Sequence, residues 1–126
     1  MKLLDRLVWN DQDMIPAIIA NIEDNRPVTL CWLTREALEK TVETGKVHVF
    51  RRSEGRLMLK GETSGHIQEV RGIRPDCENK SLLIYVKQHV AACHKGYMSC
   101  YFREYDAGKD DFTITDEPVF DPEKVY

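Results

Sequence analysis

Three cysteines in the second half of the chain carry the clearest chemistry. Cys77 lies in Asp-Cys-Glu-Asn, Cys93 in Ala-Ala-Cys-His-Lys-Gly, and Cys100 in Met-Ser-Cys-Tyr. Their neighbours are mostly polar or able to bind metal, unlike those of core thiols. Three thiolates with an adjacent imidazole, His94, suit a tetrahedral zinc ion that keeps one position open for water. An open zinc position indicates hydrolytic chemistry.

The spacing of these cysteines leaves other interpretations open. They are not arranged as the paired CxxC motifs of a zinc ribbon, and three ordinary buried thiols explain the spacing equally well. If Cys93 binds metal, His94 is either a fourth ligand or a general acid/base; otherwise it is a solvated loop histidine. Cys31, in the apolar run Thr-Leu-Cys-Trp-Leu, is predicted to be a core residue.

Two polar segments could bind charged ligands. Residues 60–65 (Lys-Gly-Glu-Thr-Ser-Gly) offer backbone N–H groups, two hydroxyls and a lysine, a combination that can hold a phosphate. Arg51 and Arg52 precede this loop and could donate paired hydrogen bonds to a phosphate. Alternatively, they are the charged residues of an edge strand, where charge discourages aggregation. Asp76 and Glu78 are oxygen donors of the type that magnesium uses, although a solvated acidic turn explains them as well.

Composition narrows the functional class. The chain has 126 residues, 42% hydrophobic and 31% charged, which suits one domain, residues 1–126, with an acidic tail from 106 to 126. A net charge of −3 argues against a general nucleic-acid surface. No apolar run approaches the ~20 residues that cross a membrane. Asp5 interrupts the N-terminal segment where a signal peptide would be apolar, so we expect a cytoplasmic protein.

The pattern of apolar residues predicts an α+β fold, mainly antiparallel, with one principal helix. Thr34 is a suitable N-cap for a helix over residues 35–44, and Gly45 should end it. A turn at residues 53–55 should join two of the strands as a hairpin, and the strand that begins at Ile67 should carry an irregularity. The predicted strands are residues 28–33, 47–50, 56–60, 67–73, 82–86 and 112–115.

Several separated segments, in order, resemble the phosphoribosyl-AMP cyclohydrolase family of histidine biosynthesis. Residues 60–65 are similar to its KGETSG signature. Asp76-Cys77, Ala92-Cys93-His94 and the segment 99–103 are similar to its DCD, ACHTG and SCFYR motifs, with matching intervals between the cysteines. The resemblance extends from about residue 13 to residue 103.

The resemblance implies an intertwined homodimer in which zinc is shared, so that Cys77 of one chain joins Cys93 and Cys100 of the other. It implies hydrolytic opening of the adenine ring of phosphoribosyl-AMP at the N1–C6 bond, with His94 as catalytic acid/base. It also implies a magnesium ion at Asp76 and Glu78. The substrate-binding residues that it implies are Arg52, Ser53, Lys60, Glu62, Thr63, Ser64 and Gly65.

Some positions depart from the family pattern. Lys80 stands where the family has a third acidic residue, so the magnesium site is in question. Such changes are expected of a paralogue that hydrolyses another purine- or amidine-like nucleotide, and equally of sequence drift in a true member of the family. A non-catalytic zinc- or nucleotide-binding module that keeps the fold is a further alternative. The departures are Glu54, Met58, Lys80, Lys95, Tyr97 and Met98.

Overall fold

The computed structural model describes residues 1–125. Its two α-helices are short, and no helix in this range is long and apolar enough to cross a membrane. The elements, in chain order, are α1 (Lys2–Arg6), β1 (Met14–Asn21), β2 (Arg26–Thr34), α2 (Arg35–Thr44), β3 (His48–Arg51), β4 (Arg56–Leu59), β5 (Gln68–Pro75), β6 (Leu82–Gln88), β7 (Arg103–Asp106), β8 (Asp111–Ile114) and a 3-10 turn (Pro122–Lys124).

Four strands form the central sheet in the order β2-β1-β6-β5. The β1–β6 pair is parallel, whereas β1–β2 and β5–β6 are antiparallel. Strands β3 and β4 form one antiparallel hairpin, and β7 and β8 form another. The predicted α+β class with mainly antiparallel strands and one principal helix is therefore confirmed.

The core lies between one face of the central sheet and helix α2. Ile15, Ile19 and Leu33 contribute fully buried side chains from the sheet, and Leu38 contributes one from α2. Burial of each such side chain stabilises the fold by roughly 1.5–3 kcal/mol relative to exposure. The core thus fixes β1 and β2, against which the C-terminal half of the chain packs.

Helix α2 begins and ends where its terminal residues predict. The Thr34 hydroxyl accepts a hydrogen bond from the Ala37 amide at 3.1 Å, which caps the first turn. Gly45 adopts φ +73° and donates its N–H to the Thr41 carbonyl at 2.9 Å. The predicted helix boundaries are confirmed.

Strand β1 was not predicted. It contains Pro16, which has no N–H group to donate to a ladder. In the structure Pro16 pairs with Trp32 of β2. Pairing with β6 begins only at Ala17. The proline therefore lies where β1 has a single neighbouring strand, and its missing N–H removes no bond between β1 and β6.

The remaining strand predictions hold in outline. The β3–β4 hairpin turns at Gly55, which adopts φ +61°, and β5 shifts register between Val70 and Gly72 as expected of an irregular strand. The strand predicted in the tail is β8, and its partner β7, which runs up to the start of the tail, was not predicted. Beyond β8, the chain packs back onto the segment 93–96 rather than only covering the surface.

Candidate active site

A cleft of about 500 Å³ lies between the 60–65 loop and the segment that carries His94. This volume falls in the usual range for small-molecule sites. The cleft therefore unites the two parts of the chain that the sequence singled out for phosphate binding and for acid/base chemistry. Its lining residues are Arg51, Met58, Leu59, Lys60, Gly61, Glu62, Thr63, Ser64, His66, Ala92 and His94.

The 60–65 loop is folded tightly against the residues that follow it. Gly61 adopts φ +86°, and a Cβ atom there would lie 2.5 Å from the backbone carbonyl carbon and oxygen of His66. The Gly65 amide donates to the Gly61 carbonyl at 2.7 Å, which closes the loop. Only glycine permits both the conformation and the close approach at position 61. The glycine pattern thus fixes the wall of the cleft.

Charged and hydroxyl groups are distributed along this wall. Glu62 receives a hydrogen bond from the Arg56 guanidinium at 3.0 Å. The Ser64 hydroxyl accepts from the His66 amide at 3.2 Å. Lys60, Thr63 and Ser64 also line the cleft, and their predicted contact with a phosphate group stays a prediction.

Cys93 and His94 lie on a tight turn at the other side of the cleft. The Cys93 amide donates to the Tyr97 carbonyl at 3.1 Å, and the Gly96 amide donates to the Cys93 carbonyl at 3.1 Å. Cys93 is buried, and its sulfur accepts from the Lys95 amide at 3.4 Å. His94 is exposed and faces the cleft. The turn therefore presents an imidazole directly beside a thiol.

Cys100 lies close to Cys93 and is anchored on β2. Its amide donates to the Val28 carbonyl at 2.7 Å, and its sulfur contacts the Thr29 hydroxyl at 3.5 Å. Burial raises the pKa of the Cys100 thiol, the Thr29 hydrogen bond opposes this, and the neighbouring Cys93 thiol raises it further. The structure thus brings together two of the three predicted zinc ligands.

Cys77 lies elsewhere, on the turn between β5 and β6 at the sheet edge opposite β2. Within residues 1–125 no cluster of three or more His, Cys, Asp or Glu side chains is arranged to hold a metal. The structure therefore does not unite Cys77 with Cys93 and Cys100 inside one chain.

The acidic turn around Cys77 has local partners. Asp76 Oδ1 accepts from the amides of Lys80 at 2.7 Å and Ser81 at 3.1 Å. Glu78 forms an ion pair with the Lys80 ammonium at 3.2 Å. These contacts give both carboxylates a role in the turn, and the predicted magnesium site stays a prediction.

The two arginines that precede the loop line different depressions of the surface. Arg51 lines the cleft, whereas Arg52 lines a separate depression with Trp32 and Phe50, and Ser53 lies exposed on the hairpin turn. Strand β3 ends at Arg51, and Arg52 is the first residue of the turn, so the two side chains have different surroundings. Within one chain Arg51 is thus the arginine of the cleft.

Two further residues complete the description of the site. Cys31 is buried on β2, so its predicted place in the core is confirmed. Burial raises the pKa of the Cys31 thiol; the Lys60 ammonium opposes this rise, and the Cys100 thiol adds to it. Sequence reasoning gave His66 no role, yet it is buried in the wall of the cleft. Its position directly after the loop signature was the available signal.

Comparison with known proteins decides the family. The family model described as "Phosphoribosyl-AMP cyclohydrolase" matches residues 29–102, more than half of the chain, and this stretch includes the cleft. The chain belongs to the phosphoribosyl-AMP cyclohydrolase family. It is therefore a member of a family of cyclohydrolase enzymes, as the motifs indicated.

Individual relatives of the phosphoribosyl-AMP cyclohydrolase family match nearly the whole chain. A phosphoribosyl-AMP cyclohydrolase of Methanosarcina barkeri is 47% identical over 112 residues, which cover 86% of this chain and 83% of the relative. A phosphoribosyl-AMP cyclohydrolase of Nitratidesulfovibrio vulgaris is 43% identical over 114 residues, which cover 90% of this chain and 89% of the relative. A histidine biosynthesis bifunctional protein of Thermoanaerobacter pseudethanolicus is 42% identical over 125 residues, but this chain spans 57% of its length.

Proposed function

We propose that this chain catalyses the hydrolytic opening of the adenine ring of phosphoribosyl-AMP, at the N1–C6 bond, in histidine biosynthesis. The observation that carries the proposal is the cleft, where the 60–65 loop faces His94 beside Cys93. The loop and Arg51 can bind phosphate, while the imidazole lies where a bound purine ring could reach it. Family membership supports the same substrate.

The chemistry of the substrate explains why such a site would be sufficient. A ribose phosphate on N1 makes the purine cationic and C6 electron-poor. Water adds its oxygen to C6, the N1–C6 bond breaks, and this oxygen becomes the carbonyl oxygen of the resulting carboxamide. Of the two protons that water loses, one ends on N1 and the other is released to solvent, which balances the lost positive charge. His94 would accept and return the proton that ends on N1, a role typically worth 10²–10⁴-fold in rate.

We propose zinc as the cofactor, held by Cys93 and Cys100 together with Cys77 of a second chain. The donor set fits, because neighbouring thiols beside a cleft are soft ligands of the type that zinc prefers. When bound, zinc would activate water for hydrolysis near neutral pH. His94 follows Cys93 directly, so its imidazole would lie close to that position.

A homodimer would supply the missing ligand. Cys77 lies at the sheet edge opposite Cys100, so a second copy is the natural source of the third thiolate. The outer face of the central sheet also exposes adjacent apolar side chains, since Ile18 pairs with Leu30 across β1 and β2 and Trp32 lies on the same face. Exposed apolar patches of this kind commonly mark protein interfaces.

Hybrid dimers test the shared site. Cys77→Ser and Cys100→Ser chains are each expected to be inactive alone. In a twofold-symmetric hybrid of the two, one site keeps all three thiols and the other loses two of them. An equal mixture, with hybrids forming about half of all dimers, should therefore recover about one quarter of wild-type activity. No recovery in hybrids purified with two different tags would place all three ligands within one chain.

Growth of a bacterial histidine auxotroph that lacks its cyclohydrolase tests the function itself. The wild-type chain should restore growth without histidine, as expected for an enzyme acting in the cytoplasm, and the Cys100→Ser chain should not. Failure of a well-expressed wild-type chain would favour a paralogue that acts on another nucleotide. The structural argument for that alternative is Met58, which departs from the family pattern and lines the cleft.

Magnesium at Asp76 and Glu78 is tested by comparing turnover with and without magnesium in zinc-loaded protein.

A further inference from the structure

The segment that follows β8 returns to the cleft. We call residues 116–121 the C-terminal strap. The Val119 amide donates to the Gly96 carbonyl at 2.7 Å, and the strap begins at Asp116, which forms an ion pair with Arg26 of β2. Just before it, the Thr115 amide donates to the Phe102 carbonyl at 2.9 Å. The strap is therefore tied at its N-terminal end and at Val119 to elements around the thiol pair.

Gly96 is shaped for this contact. It adopts φ +103°, and a Cβ atom there would lie 2.7 Å from the Phe120 carbonyl oxygen. The turn at 93–96 and the strap thus approach more closely than any residue with a side chain would allow. Since His94 and Cys93 belong to this turn, the strap supports the backbone that presents them.

Phe120 contacts the opposite wall of the cleft. Its ring meets the His66 imidazole edge-on, with centroids 4.8 Å apart and planes at 80°. This is a favoured aromatic geometry. His66 is buried and lines the cleft directly after the phosphate-binding loop. A single residue of the strap therefore contacts one wall through its ring and the other through its backbone.

We propose that the C-terminal strap is a positioning element of the active site, with Phe120 as a positioning residue that holds His66 and the 93–96 turn in register. The proposal rests on the proposed function for its effect on catalysis. The strap lies after the stretch that the family model matches. Its value to catalysis follows from the sensitivity of reaction rates to small displacements, since a misplacement of about 1 Å can cost 10²-fold.

Three variants of the full-length chain separate positioning from folding. Phe120→Ala removes the ring, Phe120→Leu keeps apolar bulk, and Val119→Ala is the matched control because the Val119 side chain is exposed while its amide is retained. We expect Phe120→Ala to lower kcat about tenfold, with a much smaller change in KM, because the turn is displaced rather than the phosphate contacts. Phe120→Leu should recover most of the loss, and Val119→Ala should match wild type.

Two measurements need no substrate. Amide hydrogen exchange at Cys93 and Gly96 should be about tenfold faster in Phe120→Ala, while exchange in β6 stays at the wild-type rate. The imidazole proton resonances of His66 should shift in the same variant, because the ring current of Phe120 is lost. Both signals should stay unchanged in Val119→Ala.

These measurements also distinguish the two proposals. A wild-type chain without turnover would refute the proposed function, and the exchange and resonance data would still decide whether the strap holds the turn. Unchanged exchange at Cys93 and Gly96 in Phe120→Ala would overturn the positioning proposal, even in a fully active enzyme. An equal loss of kcat in Val119→Ala would overturn it as well, because the effect would not then depend on the ring.

Discussion

Replacement of Gly61 by alanine should destabilise the fold and damage the cleft together. The new Cβ atom would lie 2.5 Å from the His66 carbonyl carbon and oxygen and 2.8 Å from the Ile67 nitrogen. All three are backbone atoms, so no flexible side chain can move aside. A non-glycine residue in the left-handed region costs about 1–2 kcal/mol, and forced repacking adds about 1–3 kcal/mol. We expect a total loss of about 3–4 kcal/mol in the free energy of unfolding.

Gly65→Ala is the matched control, since Gly65 adopts a similar φ of +79° in the same loop but has no other atom within 4 Å of a built Cβ. It should show only the conformational cost. In thermal unfolding at fixed protein concentration, the two variants should differ by about 6–10 °C for a domain of this size. Equal destabilisation by the two substitutions would refute the close approach at Gly61.

Activity gives a second measure of the same change. Displacement of His66 in Gly61→Ala should lower kcat/KM by about 10–100-fold in protein that is still folded at the assay temperature. Gly55→Ala, in the β3–β4 turn with φ +61° and free space around the Cβ position, controls for glycine loss outside the cleft. A Gly61→Ala enzyme with the activity of Gly55→Ala would contradict the role of the loop as a fixed wall.

Four other substitutions address the rest of the site and the core that supports it. His94→Ala should lower kcat by about 10²-fold or more in a steady-state assay while zinc content is unchanged, because acid/base catalysis is lost; a twofold effect would contradict that role. Metal analysis should show that Cys100→Ser loses zinc. Cys31→Ser should keep its zinc and only lower Tm, since the Cys31 thiol is buried in the core. Equal zinc in wild type and Cys100→Ser would overturn the ligand assignment. Thr41→Val should lower the free energy of unfolding by about 1–3 kcal/mol in urea. The His48 amide donates to the Thr41 hydroxyl at 2.9 Å and would be buried without a partner in this variant. An unchanged unfolding midpoint would contradict this.

Local signals made one part of the fold predictable. Helix α2 has its cap at Thr34 and its left-handed end at Gly45, so its boundaries depend on residues next to them. Strand β1 depends instead on pairing with β2 and β6, which no local pattern reveals, and Pro16 argued against it. Strand β7, with four polar or aromatic residues, is a strand only because β8 pairs with it.

The candidate site shows the same division. The loop signature and the Cys93-His94 pair are each a continuous stretch of sequence, and the structure places the loop and His94 in the lining of one cleft. Which of Arg51 and Arg52 lines the cleft depends on the residue at which β3 ends and the turn begins, a boundary that the sequence does not fix to one residue. The contact of Phe120 with His66 joins residues far apart in the chain, and only folding could reveal it.

Zinc-dependent turnover of phosphoribosyl-AMP tests the central claim most directly. Purified protein, stripped of metal and then supplied with zinc and magnesium, is mixed with phosphoribosyl-AMP, and ring opening is followed by ultraviolet absorbance. The account predicts turnover that appears with zinc, disappears with a zinc chelator, and is absent from Cys100→Ser. Folded wild-type protein that binds zinc but leaves phosphoribosyl-AMP intact would contradict the proposed reaction, and full turnover in metal-free protein would contradict the role of the thiols.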